Sequence, residues 1–258
     1  MPTLDKLEET PRKELHVFYI LDTSGSMIGT PIAELNHAME ECTEALKEVA
    51  KNNGDAKLKI AVMEFNSNCK WVTDHGPEPV EDFEWEYLEA GGLTSMGAAL
   101  TELDSQLRRD KFLSSMTGAF MPVLIFMTDG IATDDYDRPL TEIRKNKWFK
   151  HGTKIGFAIS DEADEKMIAS VVGNSEAVIK TNNLALFKKL ISFVSVRASM
   201  LASSSRTTDK AADGGGIVSD AKKELDLPDD VTSSLPDSEY NKEPETKDKD
   251  DDWNDDEW

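Results

Sequence analysis

Val17-Phe18-Tyr19-Ile20-Leu21-Asp22-Thr23-Ser24-Gly25-Ser26 joins an apolar run to an acid and two hydroxyls set at alternate positions. The run reads as a buried strand. A strand that stops at such a turn, just before a helix, brings the oxygens of Asp22, Ser24 and Ser26 towards one point. Hard cations such as Mg²⁺ take oxygen ligands, and Mg²⁺ keeps several waters rather than a closed protein cage.

Two further oxygens of the right kind occur later. Thr94 follows the flexible Gly91-Gly92-Leu93, and Asp129 ends a second apolar run, Val123-Leu124-Ile125-Phe126-Met127-Thr128. In an open α/β sheet ligands gather beyond the carboxyl ends of the strands, so loops distant in sequence meet there. The candidate metal site is therefore Asp22, Ser24, Ser26, Thr94 and Asp129. Each fragment alone has a plainer explanation, because Ser, Thr and Asp commonly cap helices and Thr-Asp-Gly is a frequent turn. Three such fragments, in this order and each placed after a strand or a glycine turn, favour the metal.

At these residues the chain resembles a known family. Asp22-Thr23-Ser24-Gly25-Ser26, then Thr94, then Thr128-Asp129-Gly130 are similar to the metal-ion-dependent adhesion site (MIDAS) of von Willebrand factor type A (VWA) domains. The resemblance covers residues 15 to 201 and implies that Ser24, Ser26 and Thr94 bind the metal directly, with Asp22 and Asp129 acting directly or through water. It also implies a Rossmann-like, doubly wound, mostly parallel six-stranded sheet, with strand order 3-2-1-4-5-6, an antiparallel edge strand and helices on both faces. The pattern of the residues alone leaves that order open. Met127-Thr128-Asp129-Gly130 with Ala132 to Tyr136, and Ala158 to Asp164, resemble the bacterial tellurite-resistance-associated, TerY-like branch.

Composition sets further bounds. The chain has 258 residues and a formal net charge of −21, and from Arg206 to Trp258 18 acids stand against 7 bases, so that segment carries −11. Such a balance disfavours general affinity for nucleic acid or anionic membrane, which reward clustered Lys and Arg. Cys42 and Cys69 lack metal or redox spacing and read as reduced packing thiols. Residues 1–14 form a polar leader without a signal-peptide core, and no run approaches a membrane span, so a cytoplasmic location is expected.

In chain order, strands alternate with helices, which implies a parallel sheet with right-handed crossovers. Strands are expected near 15–21, 57–65, 68–73, 122–128, 154–160 and 177–180. Helices are expected near 31–51, 96–109, 139–149, 162–172 and 184–201, with a short extended piece near Phe83 to Leu88. Glu64 reads as a strand-end side chain and His75 as a surface residue. The acidic loop bearing Asp134, Asp135 and Asp137 is either a rim selecting basic partners or a plain solvated loop. Residues 202–258, with Gly214-Gly215-Gly216 and few apolar positions, read as a disordered acidic tail ending in Trp253 and Trp258.

The expected function is a protein-binding module whose divalent cation, Mg²⁺ first and Mn²⁺ or Ca²⁺ as alternatives, accepts an Asp or Glu from a partner protein. The resemblance extends this to kinase- or phosphatase-like partners in a bacterial stress or defence system. Two alternatives are a scaffold binding through its tryptophan-bearing acidic tail and a metal-dependent phosphatase or hydrolase. The second lacks a Ser-His-Asp order, a phosphate-cradling Gly-Lys motif and clustered histidines, so no enzymatic activity is expected.

Overall fold

A computed structural model describes residues 12–160, 163–181, 183–204, 213–227 and 231. Strand β1, Lys13–Asp22, is buried from Leu15 onward and forms the centre of the sheet. It pairs in parallel with β2, Ala56–Phe65, on one side and with β5, Val123–Thr128, on the other. Beyond β5 lie β6, Thr153–Ala158, and β7, Val178–Lys180, both parallel. Beyond β2 lies the short antiparallel β3, Cys69–Trp71. The path β3-β2-β1-β5-β6-β7 has the expected order, with one addition. Strand β4, Glu78–Pro79, pairs antiparallel with the first half of β2, making seven strands where six were expected. Its proline suits such an edge, where a missing N–H goes unnoticed.

Alternation along β1 divides the core. Leu15, Val17, Tyr19 and Leu21 face one layer, and Phe18 and Ile20 face the other. The first layer holds α1, Thr30–Asn52, and α6, Leu184–Ser204, which pack on each other and on β1. Leu35, Met39, Cys42 and Leu46 of α1 supply the apolar stripe, and Pro31 occupies the first turn. The second layer holds α2, Met96–Gln106, α3, Asp137–Ile143, α4, Lys147–His151, and α5, Glu165–Val172. Strand β5 is buried throughout because helices cover both its faces.

Two expectations are corrected. The single helix near 139–149 is two, because Asn146 takes an extended conformation and caps α4 through Trp148 N at 3.0 Å. The piece near Phe83 to Leu88 joins no strand ladder and is held where Asn36 Oδ1 accepts Leu88 N at 2.8 Å. The boundary at residue 201 also moves. Helix α6 runs to Ser204, and a further helix, α7, Gly214–Glu224, packs on the α6 side of the sheet with Ile217, Val218 and Ala221 buried.

Gly214, the first of the three glycines opening α7, is there for close approach. A Cβ on Gly214 would stand 2.4 Å from Lys154 O, and one on Gly215 3.0 Å from Glu176 Oε2. Asp213 caps the helix by accepting from Gly215 N and Gly216 N at 3.2 and 3.1 Å, and Arg197 pairs with Asp220 at 3.1 Å. Residues 214–224 of the expected tail are therefore helical and packed, and its tryptophan-bearing end lies outside the described residues. The expected polar leader shortens likewise, since β1 begins at Lys13, and residues 1–11 lie outside the described set.

Candidate metal centre

The carboxyl ends of β1 and β5 and the start of α2 place the predicted residues on three adjoining loops. Leu21 lies beside Met127 across the β1–β5 ladder, so the next residues of each strand, Asp22 and Thr128, meet at its end. Thr128 Oγ1 donates to Asp22 Oδ2 at 2.5 Å, and Ser24 N donates to Asp22 Oδ1 at 2.8 Å. Both Asp22 oxygens are engaged and the residue is fully buried. Asp22 thus holds the loop in shape from beneath.

Ser24 turns the chain into a short 3₁₀ segment, Gly25–Met27, which lifts Ser26 to the surface. Ser24 Oγ and Ser26 Oγ lie 3.0 Å apart, and Ser26 Oγ donates to Asp129 Oδ1 at 2.7 Å. Thr94 joins them. A Cβ built on Gly130 would stand 3.4 Å from Ser26 Oγ and 3.6 Å from Thr94 Oγ1, so both hydroxyls border the same glycine. Gly25 N donates to Gly92 O at 3.0 Å and Gly91 N to Thr23 O at 2.8 Å, which lock the first two loops together. Gly92 itself has φ of 86° and packs on Ser67, so both its backbone and its space require glycine. Ser160 Oγ holds Asp129 from behind through its carbonyl at 2.8 Å.

All five predicted residues therefore border one oxygen-lined cluster of two carboxylates and three hydroxyls. Among the described residues no group of three His, Cys, Asp or Glu side chains could hold a metal. Hydroxyl oxygens would have to supply the remaining ligands of any cation here, and an all-oxygen set suits a hard one. Glu64 lies partly exposed next to the last residue of β2, and His75 is exposed.

Burial pushes the Asp22 carboxyl up; hydrogen bonds from Ser24 and Thr128 oppose this, and the Asp129 charge adds to it. The sign has a consequence. A carboxyl raised in the folded state keeps its proton longer than in the unfolded chain, so without metal its contribution to stability falls as pH rises through that window. The window opens at the ordinary carboxylate value of about 4 and extends upward. A cation reverses the balance because it binds the ionised form. The stabilisation given by Mg²⁺ is expected to vanish on acidification above the pH of an ordinary carboxylate, and to lose this pH dependence in Asp22→Asn. Melting curves with Mg²⁺ and with EDTA across pH 4 to 8 check it.

Two residues of the site escaped sequence reasoning. Thr128 is one, visible only as the residue before Asp129. Asp134 is the other. Its two carboxylate oxygens accept Gly97 N and Ala98 N at 3.0 Å each, capping α2 from a loop 36 residues away in sequence, while Ser95, the local cap position, makes no side-chain cap bond. Thr133 ties the same loops, with Thr133 N donating to Thr94 O at 2.8 Å and Thr94 N to Thr133 Oγ1 at 3.1 Å. A helix N-terminus beside Thr94 repels a cation, and the Asp134 carboxylate offsets that partial charge. Asp134→Ala is expected to cost about 1–2 kcal/mol as a lost cap. It should also weaken Mg²⁺ affinity without touching the ion, which melting with EDTA and Mg²⁺ titration read separately.

Comparison with solved structures follows this geometry. The chain resembles a von Willebrand factor type A protein from Catenulispora acidiphila at 17% identity and a TM-score of 0.53, over 72% of this chain and 43% of that one. The fold is that of a VWA domain. A pilus adhesin from Lactobacillus rhamnosus GG matches at 10% identity and TM-score 0.55, over 74% of this chain and 31% of that one. Proximal thread matrix protein 1 of the mussel byssus, solved with a zinc-occupied MIDAS motif, matches at 15% and 0.51, over 70% and 46%. The chain thus spans less than half the length of each of these. No family model matches the sequence, and no curated protein matches it. Among the described residues no helix is long and apolar enough to cross a membrane.

Proposed function

We propose that this VWA-fold chain is a metal-dependent protein-binding module that takes an Asp or Glu of a partner protein through a divalent cation held by Ser24, Ser26, Thr94, Asp129 and, from beneath, Asp22. The observation that carries this is the convergence of the three loops. Ser26 Oγ meets both Ser24 Oγ and the Asp129 carboxylate within 3.0 Å, and the exposed position of Ser26 opens the cluster to solvent. Two carboxylates roughly balance a divalent charge and three hydroxyls add none, so a further anionic ligand from outside is favoured. The cation supplies the electrostatic attraction for that carboxylate.

Mg²⁺ is the proposed ion, since it tolerates a site that leaves positions to water. The proposal is of binding rather than catalysis, in keeping with a sequence that carries no Ser-His-Asp order, no phosphate-cradling Gly-Lys motif and no clustered histidines. The narrower setting, a TerY-like cytoplasmic protein of a bacterial stress or defence system with kinase- or phosphatase-like partners, is supported only by the resemblance of residues 127–136 and 158–164.

A pull-down from source-cell lysate in Mg²⁺ against EDTA tests the proposal, with folded Asp22→Ala and Ser24→Ala variants beside the wild type. A partner retained only by the intact loop with metal supports it. A partner retained regardless shifts recognition to another face or to the acidic C-terminal residues.

A further inference from the structure

Six large apolar side chains stand exposed among the described residues: Ile28, Tyr87, Leu93, Met116, Ile131 and Met200. Isolated exposure of this kind is ordinary. Three of the six, however, fall on the three loops of the candidate metal centre: Ile28 at 64%, Leu93 at 58% and Ile131 at 64% exposure. Ile28 is two positions from Ser26, Leu93 is next to Thr94, and Ile131 is two positions from Asp129. With Cα atoms about 3.8 Å apart along a chain, each lies within about 8 Å of a site residue's Cα.

The loops are fastened to one another at the same places. Gly25 N donates to Gly92 O, and Ser26 Oγ donates to Asp129 Oδ1. The three loops that carry these exposed aliphatic residues therefore meet at one oxygen cluster. Nothing in the fold requires them there, since tight turns of this kind favour small polar residues, and none belongs to either core layer.

We infer that Ile28, Leu93 and Ile131 form an apolar collar that restricts partners to protein segments whose Asp or Glu is flanked, within two positions, by a large apolar side chain. This rests on the metal-dependent binding proposed above. A carboxylate centred on the cation places its neighbouring residues about 4–8 Å away along the segment, which is the collar's own reach. Further along the same loop Asp135 and Asp137 are exposed beside the exposed Arg138, so two acids stand against one base and the rim is negative on balance. That favours Lys or Arg further out on the segment and identifies a separate protein as the occupant. The chain's own end, residues 247 to 258, pairs acid with tryptophan but sets seven acids against the two lysines Lys247 and Lys249, so a negative rim disfavours it.

The test is selection from a phage-displayed random peptide library on the full chain in Mg²⁺, with elution by EDTA. Expected are peptides rich in Asp or Glu with Leu, Ile, Phe or Trp within two positions and Lys or Arg beyond. Against the Ile28→Ser, Leu93→Ser, Ile131→Ser triple variant, acidic peptides should still be released by EDTA but the apolar neighbours should no longer be selected. The best wild-type peptide should then bind about tenfold more weakly or worse. Surface positions tolerate such changes, and the single Leu93→Ser variant repeats the test with less perturbation.

Acidic peptides without apolar neighbours, or the same peptides on wild type and triple variant, would overturn the collar and leave metal-dependent binding standing. Peptides with acidic rather than basic outer positions would overturn the separate partner in favour of the chain's own end. If no peptide is released by EDTA although the chain binds Mg²⁺, the binding proposal fails with it.

Discussion

Mg²⁺ added to the metal-free chain at a hundredfold excess over Kd is expected to raise its unfolding midpoint by about 5–11 °C, and the Ser24→Ala, Asp129→Ala double variant to show no such rise. The magnitude follows from linkage: a ligand at that excess contributes about 2.7 kcal/mol to the folded state. A domain of this size gains about 2–4 °C per kcal/mol. The double variant removes one hydroxyl and one charge from a cluster in which Ser26 Oγ touches both. It should nevertheless fold. The Asp129 charge opposes ionisation of Asp22, so its removal relieves repulsion, and Ser160 holds the Asp129 backbone carbonyl rather than its side chain. In EDTA the variant should therefore lie no more than about 2–4 kcal/mol below the wild type, the scale of one neutral and one charged hydrogen bond lost. Scanning calorimetry with and without the ion measures both quantities. An undiminished rise in the variant would place the cation elsewhere, with the dense acids near the C-terminus as the first alternative.

That the loop cluster was legible in the sequence follows from how its residues are distributed. Asp22, Ser24 and Ser26 share one turn, and Asp129 ends an apolar run, so residue type and local pattern together mark them. Thr94 needed more, because a lone Thr after two glycines gains meaning only from the other two fragments. What was not legible depends on contacts across the fold. Thr128 reaches Asp22 across 106 residues, and Asp134 caps α2 in place of Ser95, the residue a local rule would choose. The acidic loop was weighed as rim or solvent-exposed loop, and one of its acids proved to be neither. Sheet order was likewise open to pattern alone, because parallel strands of similar apolar content are interchangeable until their crossovers are seen.

The misplaced end of the domain has a physical cause that predicts the second large effect: Ile217→Ala is expected to destabilise the chain by about 2–5 kcal/mol. Three consecutive glycines before few apolar residues look like a flexible linker, and as a linker they would make Ile217 irrelevant, with substitution effects inside about 0.5 kcal/mol. The first of them, Gly214, instead allows α7 to approach the backbone of β6 where a Cβ would collide, 2.4 Å from Lys154 O. Once that approach is made, Ile217 is 1% exposed and joins the core layer of α1 and α6. A buried isoleucine cut to alanine loses both transfer energy and packing, and the fall in midpoint should be about 4–20 °C. Gly214→Ala should add to it only weakly, because both changes detach the same helix and coupled sites do not sum. Truncation makes the complementary comparison: a chain ending at 231 should keep the wild-type midpoint, and one ending at 204 should fall at least as far as Ile217→Ala. Equal midpoints for the two truncated chains would mean that α7 contributes nothing, and the domain would then end with α6.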